Sequence, residues 1–268
     1  MLPSPRLSPS EYLALALIAL VSFALSYIGA TVGLVLGQLR VALLAYVLGS
    51  PAVGAATSLA ISTAGTLVGT LRHARAGRVR PWLLATVGVP SALAAFFTAR
   101  LAGAIDPRLL KLAIAAALLL AGASMLRRPA PAPDDAPVPR RSLALAAEVA
   151  VGAALGAISG LVGLLLGSLR LPAMIRYARV DPPIAVGTNM AIGALTGLSA
   201  GVATFLEGQV HLEAFAVVTP LTMLGASLGA KRTGELDPAT LRKWIAWVLV
   251  ATAAIMLGEL GVARWRGA

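Results

Sequence analysis

The sequence predicts an all-α polytopic membrane protein, with two internal repeats that hold about eight full transmembrane helices and two short or broken segments. Three observations carry that expectation. The 268-residue chain is 58% apolar and only 12% charged, against about 25% charged residues in a soluble domain, and its mean hydropathy is +0.86. The charges gather in short clusters separated by long uncharged runs at 12–39, 41–71, 81–99, 112–126, 149–169, 183–206 and 214–230, several of which reach the ~20 residues that cross a hydrocarbon core of ~30 Å. Finally, the nonapeptide Val32-Gly-Leu-Val-Leu-Gly-Gln-Leu-Arg40 returns 130 residues later as Val162-Gly-Leu-Leu-Leu-Gly-Ser-Leu-Arg170. An internal duplication inside a membrane protein is the sequence signature of many transporters. The alternating polar positions that a transmembrane β-barrel needs are absent.

The first element is a helix near 12–36. A Pro/Ser-rich lead with one Arg precedes it and no small-residue cleavage site follows a short apolar core, so it reads as a retained first span. A short apolar piece at 39–48 follows, bounded by Arg40 and by Gly49-Ser50-Pro51. Longer segments then come near 53–71, 81–101 and 107–126. The second half repeats this order. Ala55-Ala-Thr-Ser-Leu-Ala-Ile-Ser62 matches Val186-Gly-Thr-Asn-Met-Ala-Ile-Gly193, Gly77 and Val79 match Gly208 and Val210, and Asp106-Pro107 matches Asp237-Pro238, all at an offset of 131. The counterpart of the short piece lies at 171–178, between Arg170 and Asp181-Pro182-Pro183. Both Asp-Pro pairs read as helix starts, with Asp as N-cap and Pro in the first turn. Between the halves, 127–142 alternates prolines with charged residues and reads as an extended, exposed cytoplasmic linker. The organisation is therefore an N-terminal repeat at 1–126, the linker, and a C-terminal repeat at 143–268.

Four segments per half would make the repeats parallel and five would invert them. Under five, most basic residues fall on one side: Arg40, Arg72, Arg75, Arg78, Arg80, Arg127, Arg128, Arg140, Arg141, Arg176, Arg179, Lys231, Arg232, Arg242 and Lys243. That bias is the positive-inside signal. The loop at 72–80 is strongly basic, whereas its counterpart at 207–213 carries two acids and no Lys or Arg. Inverted repeats with both termini outside are the favoured arrangement, although Arg264 and Arg266 run against it.

Candidate functional residues cluster at the two breaks. Gly29, Gly33 and Gly37 recur every four residues, as do Gly152, Gly156 and Gly160, with Gly163 and Gly167 beyond. They either pack helices closely or open an unwound segment whose free N–H groups bind an anion. Irregular backbone at that depth is tolerated only in a protein-lined cavity or buried in protein. Thr57 and Ser58, with Thr188 and Asn189, sit at the second break of each half, and their hydroxyl and amide groups can donate to an anion's oxygens. Gln38 and Ser168 occupy equivalent places. Arg40 and Arg170 follow the Gly-rich stretches, where a guanidinium suits an oxyanion or snorkels to headgroups. Glu148, Glu207 and Glu259 are the candidates for carrying a coupled ion, and coupling to a proton or sodium gradient stays open. Trp82, Trp244, Trp247 and Trp265 read as an interfacial belt.

The glycine-rich stretches, the short Leu/Pro segments and the Gly/Ala-Thr-Ser/Asn turns resemble the TauE/SafE sulfite exporter family. Gly29-Ala-Thr-Val-Gly33, Leu39-Arg40, Ala56-Thr57-Ser58, Gly160-Leu-Val-Gly163, Leu171-Pro172 and Gly187-Thr188-Asn189 carry the likeness. The resemblance implies a permease for small anions such as sulfite, thiosulfate or organosulfonates, with proton coupling. The family's run Gly-x-Gly-Gly-Gly is replaced here by Leu34-Val35-Leu36-Gly37 and Leu164-Leu165-Leu166-Gly167, whose larger side chains would narrow a backbone-lined site.

The expected partners are a small anionic substrate and the lipid bilayer of a bacterial cytoplasmic (inner) membrane, and a homodimer stays open. Nucleic acid is not expected, because the net charge of +11 flanks spans and does not stripe one helix. No cofactor or metal is expected: the chain has no cysteine and two histidines, His73 and His211, in predicted loops. A membrane enzyme would need a buried nucleophile with a base, or paired acids, which the sequence lacks. An anion channel or a non-transporting scaffold subunit are the alternatives to a carrier.

Overall fold

The computed structural model describes residues 8–99, scattered positions between 112 and 126, and residues 141–162, 167–176, 180–206 and 208–266. Every regular element among them is helical. In the first half α1 covers Pro9–Val32, α2 Gln38–Val47 and α3 Pro51–Arg75. Helix α4 runs through Pro81–Leu83, a π-helical turn Leu84–Gly88 and Val89–Ala99. In the second half α5 covers Arg141–Val162, α6 Gly167–Arg176, α7 Pro182–Leu206, α8 Leu212–Thr233 and α9 Pro238–Arg266. Among the described residues, six helices are long and apolar enough to cross a membrane: α1, α3 to α4, and α7 to α9. The apolar stretch Leu145–Ser159 of α5 is shorter. The expected span near 107–126, the linker at 127–140, and Asp106-Pro107 fall wholly or mostly outside the described residues.

The local chemistry of the helix ends follows the sequence. Ser8 and Glu11 form a capping box that starts α1, and Ser50 followed by Pro51 starts α3. Gly33, in the left-handed region at φ 73°, ends α1. In α4 the Val89 N–H reaches back five residues to Leu84 O, and Pro90 has no N–H to offer; the π turn lies where the ordinary ladder is interrupted. Asp237 caps α9, its Oδ1 accepting from Ala239 N and Thr240 N at 3.0 Å each. The Thr240 hydrogen bonds hold the Asp237 carboxyl below its usual range, so its stabilisation is present above the unfolded value of about 3.9 and is lost as pH falls toward the lower folded value. Asp237→Ala is therefore expected to lower the melting temperature slightly at pH 7. The gap from the parent should close on acidification, measured by thermal unfolding across pH.

Cross-helix contacts fix the direction of each pair. Helices α1 and α8 run the same way, with Tyr12 Oη donating to Glu213 at one end and Thr233 Oγ1 to Ala30 O at the other. Their approach is close enough that a Cβ on Gly225 or Gly229 would strike the main chain of Phe23 or Tyr27. Helices α4 and α5 repeat this pairing: Gly152 abuts Val87, Gly156 abuts Ser91, and Thr98 Oγ1 donates to Ala157 O. Helix α3 also runs with α8, and α4 with α7. In the centre, α3 and α7 run in opposite directions, since Gly69 meets Met190 while Gly201 meets Thr63.

This arrangement gathers Arg72, Arg75, Arg78, Arg80, Lys231 and Arg232 at one end of the bundle, where Arg78 Nη1 donates to Ala230 O. Glu11 and Glu213 lie at the other end, near Tyr12. Core residues of both halves, among them Val32, Leu34, Val87, Val186, Ile192 and Leu249, form one cluster. Outward faces stay apolar, with Leu13, Leu20, Phe97, Phe205 and Trp247 exposed, as hydrocarbon surroundings favour.

Candidate functional site

The chain does leave the helix after α1. Leu34–Leu36 have no regular structure and yet Leu34 and Leu36 are buried. Helix α2 has ten residues, or ~15 Å at 1.5 Å per residue, half of a ~30 Å core. Arg40 at its start meets Ser62 near the middle of α3, and Ala45 meets Gly54 near the start of α3. The segment therefore turns at Gly33, climbs to mid-span and returns along α3. Residues 163–166, where the sequence predicts the second break at Gly163, lie outside the described residues, but α6 beyond them again has ten residues.

Around the first break, Arg40 is only 1% exposed. Its Nη2 donates to Ser58 O at 2.9 Å and to Ser62 Oγ at 2.7 Å, while its Nε is buried with no partner. Ser58 Oγ donates to Gly37 O at 3.0 Å. No side chain caps the N-terminus of α2. Arg40, Ser62, Thr66, Gly65 and the unwound Leu34–Gly37 border a cavity of about 20 Å³. The partners of the Arg40 guanidinium among the described residues are neutral oxygens, and no described carboxylate pairs with it.

Around the second break, Arg170 is 4% exposed. It donates through Nε to Asn189 Oδ1 at 3.0 Å and through Nη1 to Ser91 Oγ at 3.2 Å. Asn189 Nδ2 donates to Gly167 O at 2.9 Å and to Gly33 O at 2.7 Å. One amide thus ties the end of α1 to the start of α6, where the two halves meet. Ser58 and Asn189, equivalent in the repeat, each donate to the carbonyl of the glycine at the start of the preceding short helix.

Thr57 and Thr188 serve a different purpose. Thr57 Oγ1 accepts from His211 N, at the start of α8, at 2.9 Å. Thr188 Oγ1 accepts from Arg80 N, at the start of α4, at 3.0 Å, and donates to Ile184 O. Each threonine thereby secures the entry of the other half's fourth helix. Gln38 falls in the first turn of α2 and Ser168 in that of α6, beside the arginines in sequence. Gly37 packs against Ser62 and Gly167 against Asn189. Sequence reasoning missed Ser62, Ser91 and Thr196. Ser62 was legible as the member of a Ser58, Ser62, Thr66 stripe at four-residue spacing, and Thr196 as the residue two turns beyond Asn189 on one helix face. His73, expected in a loop, lies fully buried in the last turns of α3.

A family model described as sulfite exporter TauE/SafE matches residues 18–256. Probable membrane transporter protein YdhB of Bacillus subtilis (strain 168) is 29% identical over 202 residues, 75% of this chain and 82% of its own length. Probable membrane transporter protein YunE of the same organism is 30% identical over 112 residues, 41% of either chain. No solved structure matches. The chain belongs to the sulfite exporter TauE/SafE family, and it is a multi-pass membrane protein.

Proposed function

We propose that this member of the TauE/SafE family is a membrane transporter, a secondary carrier that binds a small sulfur-containing anion, such as sulfite, thiosulfate or an organosulfonate, at the first break and moves it by alternating access. The observation that carries the reading is Arg40. Taking a cation out of water costs several kcal/mol even after relaxation, and neutral oxygens from Ser58 and Ser62 offset only part of that. A free Nε beside a cavity and the uncapped amides of α2 supply what an oxyanion needs: charge, directional donors and a positive helix end. The cavity, at about 20 Å³, admits roughly one water molecule. A polyatomic anion must therefore enter through a more open state, as alternating access requires. Leu34 and Leu36, buried in the wall, keep the chamber small and favour compact guests.

We read the halves as inverted repeats. The opposed directions of α3 and α7 support this, as does the collection of basic residues at one end, which the positive-inside rule assigns to the cytoplasm. The membrane is then the cytoplasmic membrane of a bacterium, with the first and last helices beginning and ending outside.

Two measurements test the reading. With the membrane potential clamped at zero, liposomes holding the purified protein and loaded with sulfite should accumulate labelled sulfite by counterflow, which a channel does not support under that clamp; the absence of counterflow for sulfite, thiosulfate and sulfonates would refute the carrier. The chain has no cysteine, so Arg75→Cys and Gly208→Cys each report one loop. An impermeant thiol reagent should reach them from opposite faces, and labelling from one face only would overturn the inverted arrangement.

A further inference from the structure

Arg170 shares the predicament of Arg40, a buried cation with no carboxylate among the described residues, but its surroundings are closed. Asn189 Oδ1 occupies its Nε and Ser91 Oγ its Nη1. Ser91 in turn bonds Thr196 at 3.2 Å. Because the Thr196 hydroxyl donates to Ile192 O at 2.8 Å, Ser91 is the donor of that pair. All three side chains are nearly or fully buried. At the repeat offset of 131, Ser91 and Thr196 correspond to Thr222 and Gly65, which also touch. Gly65 brings no side chain, and the Thr222 hydroxyl donates to its own helix at Val218 O. The cavity beside Arg40 lies against this same Gly65. The first half thus leaves the Arg40 Nε without a partner in a residue that borders a hollow, while the second folds equivalent groups onto one another.

We propose that Arg170, Ser91 and Thr196 form a second oxyanion station, held shut by Asn189, to which the substrate passes from Arg40. This rests on the reading of Arg40 as the first station. Asn189 and Ser91 present Arg170 with two neutral acceptor oxygens, the positions that two oxygens of an oxyanion would take. An oxyanion adds to these bonds the attraction of a full negative charge for the guanidinium, which is strong in a low-dielectric interior, so the anion displaces the neutral amide. The Ser91 hydroxyl then turns from Thr196 to donate to the guest. Displacing Asn189 also withdraws its bonds to Gly33 O and Gly167 O, the tie between the two halves. Anion binding at this station therefore favours the state in which the halves part, the differential affinity that a conformational change requires. Asn189 is a positioning residue in this scheme.

The experiment is calorimetric titration of the full-length protein in lipid nanodiscs with sulfite. The parent should bind one equivalent, lost in Arg40→Ala. Asn189→Ser installs the residue that the first half carries at this position, retaining a hydroxyl for Gly167 O while releasing Arg170. It should gain a second equivalent that disappears when Arg170→Ala is added and weakens when Ser91→Ala is added, and Asn189→Ala should gain the same. If Asn189→Ser does not fold, Asn189→Ala decides alone. A single equivalent in both variants, indifferent to Arg170→Ala, would overturn the second station and leave the first intact. A second equivalent that survives Arg40→Ala supports the second station even if the first reading fails. No heat in any variant removes both.

Discussion

Arg40→Met is expected to abolish sulfite counterflow while leaving the melting temperature equal to or above that of the parent. The two halves of that expectation have one cause. In the protein, the Arg40 guanidinium is desolvated, bonded to a backbone carbonyl and a serine hydroxyl, and not neutralised by any described carboxylate. A buried charge in this state weakens the fold, and replacing buried ionic groups by apolar ones of similar volume is neutral or stabilising by about 1–4 kcal/mol. Methionine fills the cavity side of α2 and leaves only Ser62 Oγ and Ser58 O without their donor. The anion, in contrast, loses its one charged partner. Hydrogen bonds to charged groups contribute about 1.5–3 kcal/mol, so one lost bond weakens binding roughly 10- to 150-fold, and a guanidinium offering two edges contributes more. Arg40→Lys separates charge from shape: an ammonium keeps the field but cannot hold Ser58 and Ser62 and present a second planar edge together. Its activity should lie between those of parent and Met variant. Exposed Arg75 serves as the control, since Arg75→Met alters surface charge alone. A Met variant that still exchanges sulfite, or one that unfolds many degrees earlier, would show that Arg40 is a structural cation.

Much of the architecture was legible because apolar runs and breakers leave strong marks in a lipid-soluble chain. Gly33 with Gly37, and Gly49-Ser50-Pro51, bracket α2 as expected, and the doubling of the nonapeptide locates α6 without further help. The segment bounds that depend on uninterrupted apolar sequence were legible for the same reason. What sequence does not carry is the partner across the interface. Thr57 and Thr188 look like anion donors because their hydroxyls stand at a break, yet each is engaged by the backbone of a helix 154 or 108 positions away. Asn189 reads as one polar side chain in an apolar run, and its bridging of the two halves depends on how α1 meets α7. Ser91 follows a proline in an otherwise apolar segment and gives no sign that Arg170 reaches it. The direction of a pair of helices is written only weakly in charge, whereas a handful of contacts such as Gly69 to Met190 fixes it.

Gly33→Ala should lower the melting temperature far more than Gly49→Ala, although the two positions have nearly the same backbone. Their φ values are 73° and 64°, so each substitution meets the same left-handed penalty of roughly 1–2 kcal/mol. A Cβ on Gly49 meets nothing within 4 Å, whereas on Gly33 it lies 2.7 Å from Val186 Cα and 3.0 Å from Val186 Cβ. Val186 is fully buried in the opening turns of α7, and its main chain cannot turn aside as a side-chain rotamer could. The end of α1 must then part from α7, and the Asn189 bond to Gly33 O at 2.7 Å parts with it. Buried clashes of this kind cost about 1–3 kcal/mol or more, and a buried hydrogen bond adds about 1 kcal/mol. At ~2–4 °C per kcal/mol for a chain of this length, Gly33→Ala should melt on the order of 10 °C below the parent and Gly49→Ala a few degrees below. The difference between the variants then measures the contact between the halves, free of the shared conformational cost. Equal losses would mean that the halves do not meet at Gly33, and the tie through Asn189 would go with it.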